Sequence, residues 1–111
     1  VVDVSDPTRP VQVAVLRFSD TRGPNGLKIV GDVLFLAGGQ SVEAIDVSQP
    51  TRPVKLATYR CLEAFAAGRD SAHDLVYRDG YLYVTGQNDH RFCILRVESR
   101  AIRQLADRKA R

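Results

Sequence analysis

The chain has 111 residues, 44% of them hydrophobic, with a formal net charge of +3 and two cysteines. This length suffices for one domain, and two cysteines are too few for a disulfide framework. No apolar run reaches the roughly 18 residues that cross a bilayer, so we expect no transmembrane segment. Residues 1–99 carry 11 basic and 12 acidic side chains, so the basic excess lies in the tail, residues 100–111. This tail is predicted to be a solvated segment, with contact to anionic surfaces as the alternative.

Residues 2–18 recur at residues 45–61 without a gap, which makes an internal repeat of 43 residues. Ten of the seventeen aligned positions are identical, and the shared block reads DVSDPTRPV in the first copy and DVSQPTRPV in the second. A repeat of about 40–50 residues built from short strands is typical of a β-propeller blade, which buries its apolar face only against neighbouring blades. We therefore predict an all-β fold of β-propeller blades, each a four-stranded antiparallel sheet.

Short runs of β-branched and apolar residues, bounded by Gly, Asp or Pro, divide residues 1–99 into a partial β-propeller. Residues 1–18 are the predicted end of one blade, residues 25–61 a full blade and residues 72–99 most of the next. The full blade has four predicted strands, at Leu27–Val30, Val33–Ala37, Val42–Val47 and Val54–Arg60. Phe92–Val97 is the predicted third strand of the next blade.

Turn residues separate these strands. Gly31-Asp32 and Asp79-Gly80 stand where tight hairpins with positive φ are expected. The two prolines of each SxPTRP segment exclude a central strand there, so an outward-facing turn is predicted between the third and fourth strands. Asp3 and Asp46, just before these turns, are expected to accept hydrogen bonds from backbone N–H groups of the turn.

About two and a half blades are fewer than the roughly four to eight that a propeller needs. The absence of Met favours a piece of a longer chain, and the alternative is a short chain that completes its ring by association with further copies. Residues 101–108 stand in the place of a fourth strand, yet their apolar residues are spaced as on a helix face. An irregular or helical tail is therefore preferred there.

The segments VVDVSDPTRPV and AIDVSQPTRPV resemble the LVIVD repeat, a family of secreted bacterial and archaeal proteins that form β-propellers. The chain departs from the family pattern at Arg96, where the family has Asp, so the last blade is divergent. The resemblance implies a binding or scaffolding role outside the cytoplasm, periplasmic or extracellular, as a subunit of a complex. Its partners would be another protein or the remaining blades. The resemblance implies no common catalytic residues.

Polar residues that depart from the repeat are the best candidates for a site. His73 replaces Asn25, Asp74 replaces Gly26, and a polar segment replaces the small turn after the second strand. The candidate ligand-binding or partner-binding residues are His73, Asp74, Asn88, Asp89 and His90, which we expect at one end of one blade. Imidazole and carboxylate groups together suit zinc or a similar ion, but the spacing matches no known metal motif. Metal binding, contact with a small ligand or partner, and ordinary loop chemistry all remain open.

The sequence contains no GxSxG, GxGxxG or GxxxxGK[ST] motif. We therefore predict no catalytic residues, no cofactor and no enzymatic activity. The alternative is part of a metal-dependent propeller enzyme, with His73 contributing to a site at the channel. Tyr81 and Tyr83 alternate along one strand and are expected to pack between blades rather than to stack on RNA, so no nucleic-acid partner is expected.

The two cysteines are predicted to be free. Cys61 ends a fourth strand and Cys93 lies in the third strand of the next blade, and neighbouring blades splay apart at their outer strands. A disulfide needs Cα atoms within about 7 Å. An oxidising compartment would favour the bond, but the expected geometry outweighs it.

Overall fold

The computed structural model describes residues 1–18, 23–61, 65, 71–87 and 91–108. They form three antiparallel sheets, which we call blades A, B and C, and one helix. Blade A is the pair β1 (Val2–Asp3) and β2 (Val11–Gln12). Blade B runs in sequence order through β3 (Pro24–Val30), β4 (Val33–Gly38), β5 (Ser41–Asp46) and β6 (Val54–Arg60). Blade C consists of β7 (Ala72–Arg78), β8 (Tyr81–Gly86) and β9 (Phe92–Arg96), followed by α1 (Arg100–Ala106).

The predicted strands and hairpins are confirmed. Two-residue turns join β3 to β4 and β7 to β8, since Val30 pairs with Val33 and Arg78 with Tyr81. Positive φ angles occur at Gly31 (57°), Asp79 (50°) and Gly80 (85°). Glycine and aspartate adopt this backbone region at low cost, so the turn residues themselves favour the tight reversals.

The turns of the repeated DVSxPTRP segments are built alike. An Oδ1 atom of Asp46 accepts the backbone N–H of Ser48 at 2.9 Å, and Asp3 accepts that of Ser5 at 2.9 Å. Hydrogen bonds from the side chain and backbone of Ser48 lower the pKa of Asp46. The backbone N–H of Ser5 is the main cause of the lowered pKa of Asp3. The predicted structural use of the repeat's aspartates is confirmed.

Asp46→Asn is expected to destabilise the chain in a pH-dependent way. The folded-state pKa of Asp46 is lower than the unfolded one, so its ionised form stabilises the fold above about pH 4. This contribution is lost as the pH falls through the folded value. We expect a loss of about 1 kcal/mol at pH 7 that shrinks in acid, measured by urea unfolding at a series of pH values. Glu98→Gln, an exposed loss of charge, is the control, and a pH-independent difference would contradict this account.

The core lies between blades B and C. Side chains alternate along β4, so Val33, Phe35 and Ala37 face blade C and are buried. Leu75, Leu82 and Val84 of blade C complete the same apolar cluster. The rings of Phe35 and Tyr77 stack with centroids 5.4 Å apart. Packing face to face is how blades of a propeller bury their sheets.

Helix α1 closes one end of this core. The Ser99 hydroxyl caps it by accepting the N–H of Ile102 at 3.3 Å, and Ile102 and Ala106 are buried against both blades. A Cβ at Gly31 would overlap the Leu105 carbonyl oxygen, so the helix rests directly on the β3–β4 turn. Of the irregular and helical conformations left open for this tail, the structure has the helix. The prediction of a solvated tail is wrong for α1, because Ile102 and Ala106 are buried in the core. No helix in the described part of the chain is long and apolar enough to cross a bilayer.

The prediction of two free cysteines is wrong, because Cys61 and Cys93 form a disulfide with Cα atoms 6.2 Å apart. The Cys61 N–H extends the β5–β6 ladder by donating to the Gln40 carbonyl, and the Cys61 carbonyl accepts the N–H of Phe65, which is fully buried in the core shared by the two blades. Cys61 therefore lies at the crossing from blade B to blade C rather than on a splayed outer edge.

Candidate functional site

Asn25 and His73 occupy the same structural position in blades B and C. The β3–β4 register shifts between Pro24 and Gly26, and the β7–β8 register shifts between Ala72 and Asp74. Each blade therefore has a β-bulge near the start of its first strand, and the bulged residue lies outside the regular ladder. His73 is therefore the structural counterpart of Asn25 in the repeat.

Asn25 shows what this position does. Its Nδ2 donates to the Ser71 hydroxyl at 3.2 Å and to the Ala72 carbonyl at 3.1 Å, both in the next blade. A Cβ at Gly26 would overlap the His73 carbonyl oxygen, so β3 and β7 approach too closely there for any larger residue. The bulge thus ties the first strand of one blade to the first strand of the next.

The candidate residues are only partly described. His73 and Asp74 are exposed, and Asp74 accepts the N–H of Leu75 at 2.8 Å. The predictions for Asn88, Asp89 and His90 lie outside the described residues. Among the described residues, no group of three or more His, Cys, Asp or Glu side chains is arranged to hold a metal ion.

His73→Asn is expected to leave stability and metal affinity unchanged. Asn25 already serves the same bulge in blade B, so an amide fits the backbone there. We expect a change in unfolding free energy below about 0.5 kcal/mol, measured by urea unfolding. Calorimetric titration with Zn²⁺ should give the same result for both chains. Loss of a zinc-binding signal in the variant would instead favour the metal-dependent alternative.

In the described part of the chain, blade C has an exposed apolar face. It comprises exposed side chains from all three strands, and we call it the Tyr83 face: Val76, Tyr81, Tyr83, Phe92 and Ile94. Val76, Tyr83 and Ile94 lie directly opposite one another across the sheet. The repeat aligns Tyr81 and Tyr83 with Val33 and Phe35, which face the next blade. Tyr83 is 41% exposed whereas Phe35 is 0% exposed.

Blade B has a partly exposed apolar face on its opposite side, which we call the Leu27 face: the exposed Leu27 and Ile29 and the half-buried Leu34 and Leu36. Leu27 and Leu36 are paired across β3 and β4, as are Ile29 and Leu34. Leu75 of blade C is the counterpart of Leu27 in the repeat. Leu75 is 1% exposed because blade B covers it, whereas Leu27 is 56% exposed.

The outer edge of β9 carries backbone groups that pair with no strand in the described part of the chain. Val97 donates to the Gly80 carbonyl and Gly86 donates to the Arg91 carbonyl, so the odd-numbered residues of β9 bond to β8. Antiparallel ladders alternate, so Phe92, Ile94 and Arg96 direct their N–H and C=O groups outward. An edge of this kind is a template for a further strand.

Blade A shows that the contacts between blades repeat. Phe18 is the counterpart of Cys61, and Glu43 is the counterpart of Cys93. Phe18 and Glu43 line a shallow pocket between blades A and B, just where the disulfide stands between blades B and C. Lys55 of blade B contacts the end of the blade A segment: its Nζ lies 4.5 Å from the Phe18 ring centroid and donates to the Arg17 carbonyl.

Sequential antiparallel sheets that pack face to face and repeat their contacts fit a partial β-propeller. A family model of the LVIVD repeat matches residues 1–16, so the resemblance stated from the sequence is confirmed for that segment. Residues 45–61 repeat it within blade B. No curated protein and no solved structure matches the chain.

The site residues named from the sequence include none of the Tyr83 face, the Leu27 face or the outer edge of β9. They were chosen as polar departures from the repeat, whereas the surfaces left open are apolar. The alignment of Tyr81 and Tyr83 with Val33 and Phe35 was the available signal. It identified a face that packs against a blade, but only the structure shows that blade C has no such cover among the described residues.

Proposed function

We propose that this chain is a non-enzymatic docking module of a secreted or periplasmic propeller protein, which binds within a larger assembly. The Tyr83 face carries the proposal. It presents two tyrosines and three apolar side chains in one continuous patch on a sheet whose other face forms the core. Contiguous exposed apolar patches mark interaction surfaces, and tyrosine and phenylalanine are enriched in protein interfaces.

The disulfide supports the proposed compartment. Cys61 and Cys93 join two blades, and such bonds persist in secreted and periplasmic proteins but are rare in the cytosol.

The basic tail is a weaker candidate for docking. Arg108 forms an ion pair with Asp32 at 2.9 Å, and the Arg103 side chain packs beside Gly80. These two side chains serve the fold, which leaves less charge for a contact with an anionic surface. We therefore place docking on the Tyr83 face.

Sedimentation velocity of the 111-residue chain over a range of concentrations tests this proposal. We expect reversible association of the wild type, because the Tyr83 face is a contiguous exposed apolar patch that a second molecule can cover. Tyr83→Glu should weaken association at least tenfold, whereas Gln49→Glu, the same charge in an exposed loop, should not change it. Identical behaviour of the Tyr83→Glu variant and the wild type would overturn docking through this face.

A further inference from the structure

We propose that copies of this chain assemble head to tail. The Tyr83 face of one copy packs on the Leu27 face of a second, and the second copy donates Val11–Arg17 as a fourth strand beside β9, where the described residues place none. The inference rests on the proposed docking function and names the partner as a second copy of the chain.

The two faces are complementary because the molecule already contains their junction. Between blades B and C, the face with Val33 and Phe35 packs on the face with Leu75. In the repeat, Tyr81 and Tyr83 are the counterparts of Val33 and Phe35, and Leu27 is the counterpart of Leu75. The Tyr83 face of one copy can therefore pack on the Leu27 face of another in the way that blade B packs on blade C.

Val11–Arg17 has the sequence and register of a fourth strand. It aligns with β6, Val54–Arg60. The β1–β2 ladder pairs Val11 and Gln12, and the N–H groups of Val13 and Ala14 donate to the Val1 carbonyl. The β5–β6 register places Ala44 opposite Ala57 and Val42 opposite Tyr59. The same register across copies places Ile94 of β9 opposite Ala14 of the donor.

A single placement satisfies both contacts. Phe18 and Lys55 hold residues 11–18 against blade B, beside the Leu27 face. A second copy whose blade B covers blade C therefore brings its own residues 11–17 to the outer edge of β9. The face contact and the strand contact arise together rather than by separate movements.

The exchange replaces one short ladder of backbone hydrogen bonds by another. In the donor, β1 occupies part of the place that β9 would take, so β1 must leave β2. That releases the pairs Val2 with Gln12 and Asp3 with Val11, and the bonds that the Val13 and Ala14 N–H groups donate to the Val1 carbonyl at 3.0 and 3.5 Å. The replacement ladder can extend along all of β9, Phe92–Arg96.

Complementation between two variants tests the proposal. The acceptor variant has its Tyr83 face and β9 edge altered by Tyr83→Glu and Ile94→Pro. The proline removes the outward N–H of residue 94 but no hydrogen bond to β8. The donor variant has its Leu27 face and its donated strand altered by Leu27→Glu and Ala14→Pro. Each variant alone is expected to be a folded monomer, with the disulfide intact and a native near-ultraviolet circular dichroism spectrum. Their equimolar mixture should form a 1:1 heterodimer and no larger species by native mass spectrometry, because one intact junction remains.

The other outcomes are distinct. Association that is lost in the acceptor variant but kept in the donor variant indicates contact between two Tyr83 faces, which overturns head-to-tail assembly and leaves the docking function standing. A mixture that stays monomeric while the wild type associates also overturns the inference. A wild-type chain that is monomeric at every concentration overturns it together with docking between copies.

Discussion

Reduction of the Cys61–Cys93 bond is expected to lower the free energy of unfolding by about 4 kcal/mol. The bond joins residues separated by 32 positions, and closing a loop of that length removes conformational entropy from the unfolded chain. For a chain of this size the change corresponds to a fall in Tm of about 15 °C. Thermal unfolding with and without reductant, followed by circular dichroism, measures it.

A double variant, Cys61→Ala with Cys93→Ala, separates the covalent link from side-chain packing. It should match the reduced wild type to within about 1 kcal/mol, because the small buried side chain of Cys61 leaves little space when truncated. Peptide mapping of the unreduced chain should recover the crosslinked pair, with no free thiol after unfolding. Equal stability of the oxidised and reduced chains would contradict the account.

Leu75→Ala and Leu27→Ala are expected to differ sharply in cost, although the two residues occupy the same position of the repeat. Leu75 is 1% exposed between blades B and C, so its truncation leaves a cavity and costs about 3 kcal/mol. Leu27 lies on an uncovered face, where truncation should cost less than about 1 kcal/mol in the monomer. Urea unfolding at low protein concentration measures both variants.

The Leu27→Ala variant also reports on assembly. Where a second copy covers the Leu27 face, Leu27 acquires the burial of Leu75, and its truncation should then weaken association as well as stability. Equal costs for the two variants in the dilute monomer would show that the Leu27 face is already covered.

The sequence by itself determined the repeated unit and its local geometry. The recurrence of DVSxPTRP defined the repeated unit. Tight turns, strands and the hydrogen bonds of Asp3 and Asp46 depend on neighbours within a few positions, so they could be predicted from the sequence. The spacing of apolar residues in 101–108 favoured an irregular or helical tail over a strand, and the structure has α1 there. The correspondence of His73 with Asn25 was visible in the alignment of the repeat, but the hydrogen bonds of Asn25 to the next blade were not.

The tertiary structure decided which surfaces meet. The disulfide depends on how closely blades B and C pack, which no local pattern specifies, and the contact of α1 with Gly31 depends on the same packing. Leu27 and Leu75, or Phe35 and Tyr83, are equivalent in sequence pattern and opposite in burial. Each blade has the same two faces, and burial is set by whether another blade lies against them.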